Sequence, residues 1–552
     1  MKLTLESQKQ ELIKKNQLLL TQRDELERYR KQKLPTLLQK TLRPWVQSWN
    51  PKPEPITYND PVLGTVHGQI EFDKDLAPLI MHPIVQRLNY VRQLSFSFFE
   101  FPTASHSRLT HLFGSAYNAE SALRKVLKRN IIFPSLDAIV ISDEEKERLI
   151  TLGKVAAILH DIGHGPFGHA LDKYLSLNKP FLQRAEYVEL QDKPDKFLSL
   201  EYVRKYLAPT IDEVGREFGF DADLVSRLLD SRKKAIDGKD HLVAFHRFIA
   251  DLIDSALDVD RMDYLARDAY FTGMSSGTIN TSRLLSSLVP FQLGDQYTAV
   301  FDSSGITFIE QLLYARFSMY VNCYERPKKL AAEAMLSQAV DDFLSGVGKD
   351  SGITISEIML LTDEELIDTI LLLSDESMMC YNLVTDLAKG KIYDEIETNV
   401  RLPPLTQDAE ADEGRASAVP DLAEMDPTLL HFYEGLLSDG IERATIYSNT
   451  IDEWATSLRT AGSLQEPHML LVVAPAFEAF DPRDKAIILL SEDRNSTTSL
   501  GEQYPRLKRA LTDWTAERLR VRIFVSREVG ETQRQKIRAK AKEIFSPRKK
   551  RK

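Results

Sequence analysis

Cysteine is nearly absent: the 552 residues hold only Cys323 and Cys380. Two thiols this far apart match no metal-binding spacing and build no disulfide framework, so they read as core residues of a protein in a reducing compartment. Long apolar runs are absent too, and nothing approaches the roughly 20 residues that a membrane-spanning helix needs. The opening MKLTLESQKQELIKK has no apolar segment of the secretory kind, so a cytoplasmic protein without a membrane anchor is expected. Positive charge is not in excess. The 71 Lys and Arg face 81 Asp and Glu, a net charge of −10, which disfavours an extended nucleic-acid surface. The basic run RKKRK at 548–552 reads as a solvated tail. There is no Walker-type loop, no GxGxxG and no internal repeat.

What the chain does have is a large apolar fraction, 43%, enough for two or more domains around a sizeable core. It also has histidines in company. Five of its 11 histidines fall between His106 and His169, and the stretch KVAAILHDIGHGPFGHALD, Lys154 to Asp172, is the centre of that crowding. Val155 to Leu159 read as a buried helical turn, ending in His160, Asp161 and His164. Gly163, Gly165 and Pro166 then stop the helix. Ionisable groups at a helix end inside a core are costly if bare, and a metal ion is the simplest way to satisfy them. Later carboxylates at Asp258, Asp260, Asp263 and Asp268 could complete a donor set. Mixed imidazole and carboxylate ligands suit Fe, Mn, Zn, Ni or Mg, and sequence does not choose among them.

Residues 1–50 are expected to form a helical arm, with Leu5, Leu12, Leu19 and Leu26 seven apart. Gln8, Lys15 and Gln22 in the complementary positions make a free-standing coiled coil poorly specified, so the arm should dock on the body or on a neighbouring subunit. Pro51, Pro53 and Pro55 form a stiff connector. DPVLGTVHGQIEF alternates like a short hairpin, and Ile80 to Leu94 reads as a helix. His106, Arg108 and His111 stand at the entry to another helix. Spacing alone leaves His111 either a half-buried helix residue or a ligand beside a phosphate-binding cation. Asp260, Tyr264 and Asp268 share one stripe of a helix from Leu257 to Ala269, as do Arg316, Tyr320 and Tyr324 in a helix from Phe308 to Tyr324. By periodicity alone the tyrosines are core residues. An acidic, Pro-bearing linker covers 401–427, a small α+β lobe follows over 428–545, and a basic tail occupies 546–552.

The motifs VHGQIEF, QRLNYVRQL, FPTASHSRLTHLFGSA, LHDIGHGPFGHALD, DVDRMDYLARD and YARFSMYVNCY, in this order from about Asp60 to Leu330, resemble the HD-domain metal-dependent phosphohydrolases. Within these, the chain is similar to the deoxynucleoside triphosphate triphosphohydrolases, with the heptad arm standing where some members carry a SAM-like domain. The resemblance implies a mainly α fold, an HD core over 56–400 and a smaller α+β C-terminal lobe. It makes His111, His160, Asp161 and Asp260 the ligands of a divalent metal ion, and His164 with Asp172 an acid-base pair. Arg108, Arg261 and Arg316 would hold phosphates. Gln93, Leu94, Tyr264, Asp268, Tyr320 and Tyr324 would line the sugar, with Asp268 and Gln93 at the 3′-hydroxyl and an aromatic near C2′ excluding ribonucleotides. The implied reaction is metal-assisted hydrolysis of a dNTP to deoxynucleoside and inorganic triphosphate, by a homo-oligomer under a nucleotide effector or partner protein, in nucleotide-pool control or antiviral defence.

Two departures qualify that expectation. Where the family places a His-Glu pair after the cluster, the nearest equivalent here is Leu200-Glu201. Where the family reads an activating guanine, this chain has Met81 and Asn89, with Gln86 kept. The alternatives are an HD phosphodiesterase or nuclease acting on another phosphate ester, and a nucleotide-sensing protein that has lost turnover.

Overall fold

The computed structural model describes residues 54–62, 68–135, 137–138, 140–176, 193–230, 241–275, 279–396, 440–464, 469–474, 487–507 and 520–545. The expected arm, the linker at 401–427 and the basic tail lie outside the described residues. Two long helices form the spine. Helix α1 (Arg108–Arg129) packs along α2 (Asp143–Leu159). The start of α2 is set by a capping box between Ser142 and Glu145 and by an acidic first turn, Asp143 to Glu145, against the positive end of the helix dipole. From Leu149 to Leu159 every side chain of α2 is buried, so this segment runs through the core and delivers His160 at its C-terminal end.

The other helices that frame the centre are α3 (His169–Leu175), α4 (Pro194–Tyr202), α5 (Val259–Thr272), α6 (Ile306–Met319) and α7 (Pro327–Ser345). Asp258 caps α5 by accepting from the Arg261 N–H, which starts the helix one residue before Asp260 and fixes the direction in which that carboxylate leaves it. Among the described strands, β1 (Ile56–Asn59) pairs antiparallel with β2 (Gln69–Phe72). The strands β3 (Leu288–Leu293) and β4 (Gln296–Phe301) form a hairpin extended by β7 (Ile488–Leu490) and β8 (Thr497–Ser499), in the order β8-β7-β4-β3. A second sheet has the order β5-β9-β6, from Asp394–Ile396, Arg520–Val525 and Met469–Ala474. Helices α8 (Gly440–Gly462) and α9 (Glu531–Phe545) pack on each other. The fold is mainly helical with a smaller strand-bearing region, as the resemblance implied.

Several local expectations change. Ile80 to Leu94 is not one helix but short turns at Ala77–Ile80, Pro83–Gln86 and Arg87–Tyr90. Pro83 cannot continue a hydrogen-bond ladder, and extended His82 restarts the chain by accepting from the Ile84 N–H. The hairpin arm opposite QIEF is Ile56–Asn59 rather than DPVL. The helix read as ending at Tyr324 is α-helical only to Met319, and Tyr320–Tyr324 continue as a π-turn.

The HDIGHG loop is strapped from outside. Arg87 is 5% exposed and donates to the carbonyls of Ile162, His164, Met359 and Leu361 at 2.9, 2.8, 3.2 and 3.4 Å. Asp363 accepts from the N–H groups of Phe167 and Arg92. Arg87→Met keeps much of the volume and removes every donor. It is expected to cost about 3 kcal/mol or more, read as a lowered urea midpoint, because buried carbonyls lose a charged partner.

Candidate active site

His111 on α1, His160 and Asp161 at the end of α2, and Asp260 in the first turn of α5 bring one ligand atom each to within 4.8 Å of one another. Both imidazoles are held from behind. The Nδ1 of His111 lies 2.8 Å from Asp263 Oδ2, and the Nδ1–H of His160 donates to the Ala157 carbonyl at 2.7 Å. Each ring therefore turns its buried Nε2 inward, toward Asp260 Oδ1, at 3.0 Å from His111 and 3.5 Å from His160. That arrangement, with the outer nitrogen fixed and the inner one aimed at carboxylates, fits a divalent cation. Asp263 is in turn fixed by Arg267, which also holds Asp60. Gly114 makes room for this pair, since a Cβ there would fall 1.8 Å from Asp263 Oδ1.

The charge balance agrees with the donor chemistry. Burial alone would lower the pKa of His111, but Asp260 and Asp263 on its two sides raise it to about 10. Burial opposes ionisation of Asp161 and Asp260, yet His160, His164 and Lys196 beside the first, and His111 and His160 beside the second, hold their carboxyls well below the usual range. Arg108, buried to 0% exposure, puts Nη1 3.1 Å from Asp161 Oδ2, while its Nε and Nη2 have no partner. Gly168, at φ +50°, leaves it that space: a Cβ there would meet Arg108 Nη2 at 2.4 Å.

His164 lies between two carboxylates, with Nε2 3.2 Å from Asp161 Oδ2 and Nδ1 2.7 Å from Asp172 Oδ2. Burial and Arg108 lower its pKa, and the two carboxylates overcome them, raising it to about 9. His169, exposed, reaches the same Asp172 oxygen at 3.1 Å. A second constellation forms along α5. Asp268 is bonded on both oxygens, to His106 Nε2 at 2.8 Å and to the Tyr324 hydroxyl at 2.7 Å. Gln93 donates its N–H to the His106 carbonyl, and its Oε1 is buried without a partner; Leu94 beside it is buried. Aromatic rings link the two halves: His111 to Tyr264 at 6.3 Å, Tyr264 to Tyr324 at 6.4 Å, and Tyr324 to Tyr320 at 5.0 Å. Arg316 lies over the Tyr320 ring. The π-turn carries Tyr320 and Tyr324 into this row, where a plain α-helical stripe was expected.

Not every expected residue joins. The Arg261 guanidinium is engaged by Asp258 and the Ser255 carbonyl rather than by the four-donor cluster. Gln86 donates to the Ile80 carbonyl and Met81 is exposed. Leu200 is 3% exposed and packs in the core. The residues of α4 that reach the site are Asp195, which forms a donor group with Asp161 and His164, and Lys196, 3.8 Å from Asp161 Oδ1. Ser199 ties α4 to the loop, accepting from the Gly163 N–H and donating to the His160 carbonyl. Sequence reasoning missed these three, and left His106 without a role, because no spacing rule marks them. A signal was present in Gly163: its Cβ would lie 2.1 Å from the Asp195 carbonyl, so a helix must press on it.

Comparison with known proteins bears on this geometry. The HD domain family model matches residues 108–268, which run from Arg108 to Asp268 and enclose the four donors. The chain carries an HD domain. Its similarity extends to proteins named as deoxynucleoside triphosphate triphosphohydrolases. The uncharacterized protein YwfO of Bacillus subtilis is 30% identical over 281 residues, 51% of this chain and 54% of that protein. An uncharacterized protein of Mycoplasma genitalium is 28% identical over 282 residues, 50% and 58% of the two chains. The deoxynucleoside triphosphate triphosphohydrolase SAMHD1 of Bos taurus is 30% identical over 224 residues, 40% of this chain and 36% of that protein. The match thus spans little more than half of these relatives' length or less. A solved phosphohydrolase from Bacteroides thetaiotaomicron shares the fold with a TM-score of 0.56 at 19% identity, over 86% of this chain and all of the other.

With no ion bound, the HD domain keeps a proton on His111 at neutral pH. Its raised pKa stabilises the metal-free fold fully below about 6.5, and that contribution is lost as the pH climbs through about 10. Metal uptake must expel the proton. Calorimetric titration with Mn²⁺ at pH 7, in buffers of different ionisation enthalpy, is expected to read about one proton released per ion.

Proposed function

We propose that this HD domain hydrolyses deoxynucleoside triphosphates to deoxynucleoside and inorganic triphosphate. The carrying observation is that α5 joins two half-sites, with Asp260 in the imidazole-carboxylate cluster and Asp268 on His106 and Tyr324. Eight helical residues rise about 12 Å. That length suits a ligand with phosphates at one end and a sugar at the other, and the similarity to the bovine dNTP triphosphohydrolase supports the same ligand.

His111, His160, Asp161 and Asp260 would hold the divalent ion, which when bound supplies Lewis acidity at a phosphoryl group and a water of lowered pKa. The protein's own groups do the rest. Arg108 offers its unpartnered Nε and Nη2 to phosphate oxygens, joined by Arg316. His164, charged at neutral pH, gives the Nε2 proton to the leaving 5′-oxygen while Asp172 steadies the ring at Nδ1. Tyr264 forms the wall of the deoxyribose site, and Asp268 with Gln93 accepts from the 3′-hydroxyl. Tyr324, fixed by Asp268, closes the space at C2′. A homo-oligomer, a nucleotide effector or protein partner, and a role in nucleotide-pool control or antiviral defence belong to the same reading.

The test is product formation from the four dNTPs and their ribose counterparts, with Mn, Fe, Mg and Ni supplied singly and with dNTP mixtures. Deoxynucleoside plus triphosphate, abolished by Asp161→Ala, is expected. Nucleoside monophosphate would replace this reading by a phosphodiesterase, and bound dNTP without any product would replace it by a nucleotide sensor. Tyr324→Ala is expected to raise the kcat/KM of a ribonucleotide relative to its deoxy counterpart by about tenfold or more.

A further inference from the structure

Asp161 is the meeting point of two donor groups. It belongs to the four-donor cluster, and it also stands with His164 and Asp195 in a second set whose ligand atoms lie within 4.8 Å of one another. Two clusters sharing a carboxylate is the layout in which hydrolases seat two ions, one on each side. On the second side this chain already has a cation. Lys196, from the first turns of α4, points along Asp161 with Nζ 3.8 Å from Oδ1 and a side chain only 14% exposed. Arg108 reaches the other oxygen of Asp161 at 3.1 Å and His164 reaches it at 3.2 Å. A second divalent ion beside Asp161 would face the ammonium and the guanidinium together.

We propose that Lys196 is the built-in second cation of this site, taking the place of a second metal ion and binding phosphate oxygens of the substrate. An ammonium has three donors and no acceptor. One faces Asp161, with Asp195, Asp254 and Asp260 also drawing on the ammonium, and an anion taken up beside Asp161 would meet Lys196 at one carboxylate oxygen and Arg108 at the other. The position is built rather than incidental. Ser199, three residues along α4, is bonded to both the Gly163 N–H and the His160 carbonyl, so α4 and the ligand loop keep one register. The ligand class is a polyphosphate ester, which rests on the reading of the site as a nucleotide hydrolase. The number of ions per chain and the affinity for inorganic triphosphate are independent of which nucleotide is turned over.

The experiment uses the full chain loaded with Mn²⁺ and freed of excess metal, counting ions per chain by elemental mass spectrometry and measuring inorganic tripolyphosphate binding by calorimetry without nucleotide. One ion per wild-type chain is expected. Lys196→Gln should keep that count and weaken tripolyphosphate binding by about tenfold, the effect of one charge-assisted contact. Lys196→Arg should restore the binding, and Lys196→Glu, which adds a carboxylate to Asp161, Asp195 and His164, should take up a second ion. Two ions on the wild-type chain would overturn the proposal whatever the variants do. So would unchanged tripolyphosphate binding in Lys196→Gln, equal loss in Lys196→Gln and Lys196→Arg, or a single ion on Lys196→Glu. If dNTPs give no product while these results hold, the nucleotide reading fails and Lys196 as a phosphate-binding cation stands.

Discussion

A fully buried arginine sets the geometry of the centre. Arg267 is 0% exposed and is paired with Asp263 and with Asp60 from the far end of the chain. A charge removed from water survives only with compensating partners, so the two carboxylates are tied to it. Asp263 in turn orients His111 through Nδ1, and His111 aims its other nitrogen at Asp260. Loss of that support would free His111 to rotate and dissolve the donor set without touching a donor. Gly114 is part of the same constraint, because any side chain there would occupy the space of the carboxylate and guanidinium.

Around this pair the chain uses rigid anchors on both sides of a loop that has few bonds of its own. Arg87 holds the carbonyls of Ile162 and His164, Asp363 holds the N–H of Phe167, and Ser199 holds Gly163. The loop needs them because Gly163, Gly165 and Pro166 end α2 and give up regular hydrogen bonding. In return it turns sharply enough to face Asp161, His164 and Arg108 toward one volume. The departure from the family pattern at α4 is read differently once these anchors are known. Leu200 packs in the core, and the positions that answer to the site are Asp195 and Lys196.

Much of the site was legible before any coordinates. The His-Asp step at a helix end, followed by glycine and proline, could be read as a buried ionisable cluster because its burial cost demands a partner. The spacing of Asp260, Tyr264 and Asp268 placed them on one face because α5 is regular throughout. The same reasoning slipped at Tyr320 and Tyr324, where a π-turn replaces the α-helical repeat, and at Ile80 to Leu94, where Pro83 breaks the periodic pattern. The resemblance put Arg261 on a phosphate, and in the fold Asp258, the cap of the same helix, engages its guanidinium.

The amino-acid order alone determined the mainly helical class, the helix that ends at His160, the loop that follows it and the types of donor present, since these depend on residues near one another in the chain. Tertiary structure decided the rest. It brought α4 against Gly163, sent Lys196 rather than Leu200 to Asp161, and joined His106 to Asp268 across 162 residues. It also divided the C-terminal strands between two sheets, β7 and β8 extending the β3-β4 hairpin while β9 pairs with both β5 and β6. Such choices depend on which distant surfaces exclude water together and which buried charges find opposite charges, and local propensity carries no record of either.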